Sequence, residues 1–164
     1  MNSIDLRPTQ RLLFRQGGLV MLFGFAAGFG FLFFIIGSIE LWPIPGSIDI
    51  QLPGSDKAWR MTHLEGVLNG LLLWLLAVVL PAMDLQAVQA RRVARALILT
   101  AWCFPVASLF DALFANSRGL RFGGPVTNLI PFFLFYIGII ALVWAVITVI
   151  IAHWRAVPET PADP

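Results

Sequence analysis

The stretch Trp59-Arg-Met-Thr-His-Leu-Glu-Gly-Val-Leu-Asn-Gly70 runs without a break into Leu71-Leu-Leu-Trp-Leu-Leu-Ala-Val-Val-Leu80. The apolar half reads as a membrane-crossing helix. The polar half puts a histidine, a carboxamide and two glycines at its head. Each of these is costly in hydrocarbon, or weakens a helix, unless something uses it. His63 is therefore the residue around which the remaining chain is read.

Composition supports a membrane setting. Of 164 residues, 59% are hydrophobic and 12% charged, and the mean hydropathy is +0.84. A soluble domain of this size needs far more polar surface. The single Cys103 excludes an intrachain disulfide and any multi-cysteine metal site. A formal net charge of +2, with no basic stripe carrying interleaved aromatics, gives no support to nucleic-acid binding. No Ser-His-Asp order, paired catalytic carboxylates or phosphate loop is present.

Outward from that stretch, three further apolar runs are long enough to cross the roughly 30 Å hydrocarbon layer. The expected spans are 17–39, 62–80, 94–114 and 129–153, which makes an all-α membrane protein with a four-helix bundle as one domain over 1–156. The first run is too long for a signal-peptide core and has no cleavage site after it. Its Gly24 and Gly28 form a G-x-x-x-G pair suited to close helix contact. Residues 40–60 carry Pro43, Pro45, Gly46, Pro53 and Gly54, which rule out a helix. Within them Ser47-Ile-Asp-Ile-Gln-Leu52 alternates as a short extended segment does. Trp42 and Trp59 bracket that loop and are expected at the membrane interface. Pro105 should bend the third helix, and Pro131 suits the first turn of the fourth. The tail 157–164, with three prolines, is expected to be disordered.

Four spans put both termini on one side. That side collects Arg7, Arg11, Arg15, Arg91, Arg92, Arg95 and Arg155, against Lys57, Arg60, Arg118 and Arg121 on the other. The positive-inside rule assigns the termini to the cytoplasm. His63 and Asp111 then lie toward the outer half.

Two readings of His63 are open. One is an interfacial histidine bonded to a main-chain carbonyl. The other is a metal or haem ligand. One histidine cannot hold zinc, which takes three or four protein ligands. It can hold haem iron, which brings four nitrogens of its own. Gly66 and Gly70 lie on nearly the same helix face as His63. Their bare face suits either a flat macrocycle or a packed helix. Asn69 points roughly 120° away around the axis, into a pocket beside the ligand or toward a neighbouring helix. Glu65 is expected near the interface, in solvent. Arg118 and Arg121, on the same side, could meet haem propionates or be solvated, and Asp111 could cap or pair with one of them. Tyr136 is read as aromatic core packing, and His153 as a snorkelling residue at the end of the fourth helix.

The motifs Glu40-Leu-Trp-Pro-Ile-Pro-Gly46, Leu52-Pro-Gly-Ser55, Trp59-x3-His63-x5-Asn69-Gly70 and Arg118-Gly-Leu-Arg-Phe-Gly123 together resemble the styrene oxide isomerase family, in order and with similar spacing. The resemblance implies a four-helix protein of a bacterial inner membrane, assembled as a homotrimer with haem b between neighbouring subunits. It implies conversion of a hydrophobic epoxide to an aldehyde by Lewis-acid ring opening at ferric iron and a 1,2-hydride shift. His63 would be the axial ligand, and Asn69 the amide that orients the epoxide. The family carries a tyrosine in mid helix three. Here the region reads Val106-Ala-Ser-Leu-Phe110, with Ser108 as the polar substitute and the expected second catalytic residue. That departure keeps an alternative open: a haem-binding relative that acts as a sensor, carrier or electron-transfer subunit. A membrane enzyme using glutathione or a lipid substrate, and a purely structural subunit, are the remaining alternatives.

Overall fold

In the computed structural model the described residues are 6–83, 85–117 and 119–156. Arg118 and the tail 157–164, with its expected disorder, lie outside them. The chain is an up-and-down arrangement of α1 (Arg7–Ile36), a hairpin of β1 (Ser38–Glu40) and β2 (Ser47–Asp49), α2 (Asp56–Val79), α3 (Ala87–Leu113) and α4 (Val126–Ala156). All four helices are long and apolar enough to cross a bilayer.

The helices outrun the apolar runs, because capping chemistry rather than hydropathy sets their ends. The α2 helix starts at Asp56, where the Ser55 hydroxyl accepts from the Ala58 N–H at 3.3 Å and Asp56 sits in the first turn. The α3 helix starts at Ala87 behind a capping box formed by Gln86 and Gln89. The α1 helix begins ten residues before its apolar run and spans 30 residues, about 45 Å at 1.5 Å each. It stops at Gly37, whose φ of 73° is the left-handed cap that glycine adopts without strain.

Pro131 is a correction. The α4 helix begins at Val126, so the proline lies inside the helix rather than in its first turn. The earlier start follows from Asn128, which is 2% exposed. Its amide donates to the Arg121 and Gly123 carbonyls at 2.8 and 2.6 Å and so ties the preceding loop to the helix.

Helix α2 packs along α1 and α3, and α4 packs chiefly on α3. Leu13, Val20, Leu76, Leu80, Val93 and Ala145 belong to one buried apolar cluster. They come from the first halves of α1 and α3, the second halves of α2 and α4, and the turn that follows α2. The apolar core therefore sits at the end that carries the termini. Gln10 Nε2 donates to the Ala77 carbonyl at 2.8 Å, and Trp74 Nε1 to the Phe14 carbonyl at 2.8 Å, across that end.

The loop end is more polar. The hairpin pairs Ile39 with Ile48 in antiparallel register, so the expected extended segment is a strand over its first three residues. Trp42, at the tip, is 88% exposed. Trp59, at the start of α2, is turned into the protein. It is buried against Gly30, with its indole N–H on the Pro53 carbonyl at 2.8 Å. Tyr136 departs from expectation. It is 53% exposed on the outer face of α4 and stacked on Phe132, outside the core.

Candidate functional site

Helix α2 carries the candidate residues on two faces. His63 faces α1. Its ring lies against Gly28, where a Cβ would come within 2.6 Å of Nδ1. The main-chain oxygen of Gly24 is 2.9 Å from Nδ1, so Nδ1 donates and Nε2 keeps its lone pair. Among the described residues Nε2 has no partner. The ring is half-buried, at the seam between α1 and α2. A main-chain bond is what a purely structural histidine makes. It is also the bond that orients a ligating imidazole and fixes its tautomer. The geometry meets both readings, because one nitrogen is committed and the other is not.

The two glycines on this face have one role in the fold. A Cβ on Gly70 would meet the Gly17 carbonyl oxygen at 2.7 Å, and one on Gly66 would collide with the Gly24 backbone. The bare face open to a flat macrocycle in the sequence is covered by α1, a correction in favour of helix packing. Gly24 contributes from the other side, since its own Cβ would lie 2.6 Å from the Val67 nitrogen. The G-x-x-x-G pair of α1 is thus the partner surface for α2.

The opposite face of α2 looks toward α3 and α4. Asn69 Nδ2 donates to the Glu65 carbonyl at 2.8 Å. Its side chain lines a cavity of about 220 Å³ with Leu72, Leu76, Leu97, Thr100, Phe104 and Leu142 among the walls. Ser108 is 3% exposed, and its hydroxyl donates to Glu65 Oε2 at 2.6 Å. Glu65, expected in solvent, is half-buried and turned to α3. Glu65 and Ser108 line a second cavity of about 470 Å³, together with Met61, Asp111, Leu120 and Phe135.

Asp111 is committed to the loop. It accepts from the Ser117 hydroxyl and from the Gly119 N–H. Among the described residues it makes no ion pair with Arg121. Arg121 is exposed and lines a third cavity, about 280 Å³, with Phe122 and Asn128. His153 is exposed in the last turns of α4, at the far end from His63. No group of three or more His, Cys, Asp or Glu side chains that could hold a metal ion occurs among the described residues.

In one chain the structure brings Asn69, Glu65 and Ser108 to the same side and places His63 on another. Sequence reading missed Glu65 as a partner of Ser108. The available signal was its i,i+4 spacing from Asn69, which puts the two on one helix face.

Comparison with known proteins bears on the same residues. The family model for styrene oxide isomerase matches residues 9–154. The chain belongs to the styrene oxide isomerase family. It is 29% identical over 119 residues to a styrene-oxide isomerase of Pseudomonas fluorescens, a match that covers 72% of this chain and 69% of that protein. The styrene oxide isomerase match contains His63, Glu65, Asn69 and Ser108 and all four helices bar their outermost residues.

Proposed function

We propose that the protein is a haem b-dependent membrane isomerase that converts hydrophobic epoxides of the styrene oxide type to aldehydes. The observation that carries this reading is the His63 ring. Its Nδ1–H is fixed on Gly24 at 2.9 Å, while Nε2 is left with a lone pair. One oriented imidazole would suit haem iron, which brings four nitrogens of its own and needs a single ligand from the protein. Bound haem b would supply a Lewis-acidic ferric iron that favours opening of the epoxide C–O bond and a 1,2-hydride shift to the aldehyde.

The remaining functions fall to this chain's own residues. His63 holds the cofactor. Asn69 keeps one amide N–H and its carbonyl oxygen after bonding Glu65, and these orient the substrate. Leu72, Leu76, Leu97, Phe104 and Leu142 exclude water, which would otherwise divert ring opening to a diol. His63 and Asn69 stand about 120° apart around α2. One copy alone does not direct both at one ligand, and a site completed by the neighbouring copy of a homotrimer would. Arg121, with Arg118, is the proposed partner of the propionates. The proposed location is a bacterial inner membrane with cytoplasmic termini.

One observation favours a second reading. The Ser108 hydroxyl stands where the family has a tyrosine and is already committed to Glu65. A haem-binding relative without isomerase activity fits that fact. Purified protein separates the readings. We expect a Soret band that His63→Ala abolishes and added imidazole restores, with the variant still folded by circular dichroism. Incubation with styrene oxide should then yield phenylacetaldehyde. A band that survives in His63→Ala removes His63 as the ligand. A band without aldehyde leaves the second reading.

A further inference from the structure

The carboxyl of Glu65 lies in a membrane-spanning segment with little support. Among the described residues its one side-chain partner is Ser108, at 2.6 Å, and no cation lies within ion-pair distance of it. A carboxyl at such a position is costly and is kept when something uses it. The two oxygens of a carboxyl group offer about four lone-pair sites, and Ser108 fills one. The side chain borders a cavity of about 470 Å³ whose apolar walls include Met61, Leu120 and Phe135. The other carboxylate in this cavity, Asp111, is committed to Ser117 and Gly119.

The direction of the Ser108 bond decides what the wall offers. Because the hydroxyl proton points to Glu65, this pair presents acceptors only: the remaining carboxylate lone pairs and those of Ser108 Oγ. A ligand must bring the donor. Lys57 lines the same cavity and repels an ammonium, and a neutral amine would itself attack an epoxide, so the donor is a hydroxyl. The same Glu65 fixes Asn69 through its main-chain oxygen at 2.8 Å, which couples the acceptor wall to the cavity of Asn69.

We propose that Glu65 is a specificity-determining residue: its carboxylate, held by Ser108, accepts a hydrogen bond from a hydroxyl on the part of the substrate remote from the epoxide, so the preferred substrate is a hydroxyl-bearing apolar epoxide rather than a pure hydrocarbon one. The substrate half of this inference rests on the epoxide reading above. The binding half does not.

The test uses full-length protein in detergent, with empty micelles as the blank. Isothermal titration calorimetry compares two unreactive probes, 4-ethylbenzyl alcohol and 4-ethyltoluene. Turnover compares styrene oxide with its 4-hydroxymethyl derivative. A bond to a charged acceptor should favour the alcohol probe, and the hydroxymethyl epoxide in kcat/KM, by about tenfold or more. Glu65→Leu should erase both preferences while binding of 4-ethyltoluene persists. Glu65→Gln keeps the shape and a weaker, neutral acceptor. It should retain roughly half of the logarithm of the preference, and it remains informative if Glu65→Leu does not fold. Equal binding of the two probes by the parent, or an unchanged preference in Glu65→Gln, overturns the inference. A probe preference without turnover of either epoxide upholds the acceptor site and sinks the isomerase reading. Turnover of both epoxides at equal kcat/KM, with equal probe binding, does the reverse.

Discussion

The two faces of α2 use polar and small residues in opposite ways. Toward α1, Gly66 and Gly70 bring backbone onto backbone, and the His63 ring fills the next position against Gly28. Nothing on that face is loose. Toward α3 and α4, Glu65 and Asn69 border cavities of about 470 and 220 Å³, and they hold each other and Ser108 by hydrogen bonds. One face fixes the position of the helix, and the other leaves room for a ligand. Fold and chemistry should therefore be separable by substitution on a single helix.

The largest effect belongs to the α1 face. Gly66→Ala adds one methyl where the contacting atoms are the backbone of Gly24, which has no rotamer to yield. The helices must part, and the seam that orients His63 opens with them. We expect a loss on the order of 3 kcal/mol, the upper part of the range for overpacking. It would be read as a lowered unfolding midpoint in detergent, with loss of the Soret band. A midpoint within experimental error of the parent would break the comparison at its firmer side.

A smaller effect on stability, with a larger one on activity, is expected across the helix. Asn69→Leu removes an amide whose hydrogen bond is to a carbonyl four residues back in its own helix, and adds an isobutyl group to a largely apolar cavity. Stability should be unchanged within about 1 kcal/mol. Haem binding should persist, while aldehyde formation falls by roughly tenfold or more as the substrate loses its orienting group. Turnover at the parental rate would remove Asn69 from the proposed chemistry.

What the sequence made legible follows from which signals are local. Four long apolar runs are a property of composition within a window, so the four membrane-crossing helices could be read directly. Their ends could not, because Ser55, the Gln86–Gln89 box and Asn128 act through one or two hydrogen bonds each, which leave hydropathy untouched. His63, Asn69 and Ser108 could be picked out as polar residues in apolar runs. Which face each one served could not, since that depends on where α1 and α3 lie. Gly66 and Gly70 show this best: the same bare face suits a macrocycle or a helix, and only the neighbour decides. Glu65 was misplaced for a related reason. It stands near the head of its apolar run, where solvent is the default, and its partner Ser108 is 43 residues away in sequence.

The smallest effect provides the control. Gly18 lies one residue beyond Gly17 and off the packed face of α1, and a Cβ there would meet only the Trp74 ring edge, at 3.8 Å. That is ordinary contact. Gly18→Ala thus isolates the intrinsic preference of the helix from packing, and should leave stability unchanged or raise it by up to about 1 kcal/mol. Gly17→Ala, by contrast, would press on the Gly70 carbonyl at 2.8 Å. If adjacent glycines in the same helix answered equally to an added methyl, the loss in Gly66→Ala would reflect glycine content rather than contact between α1 and α2. A neutral Gly18→Ala beside a damaging Gly17→Ala ties the position of His63 to that contact.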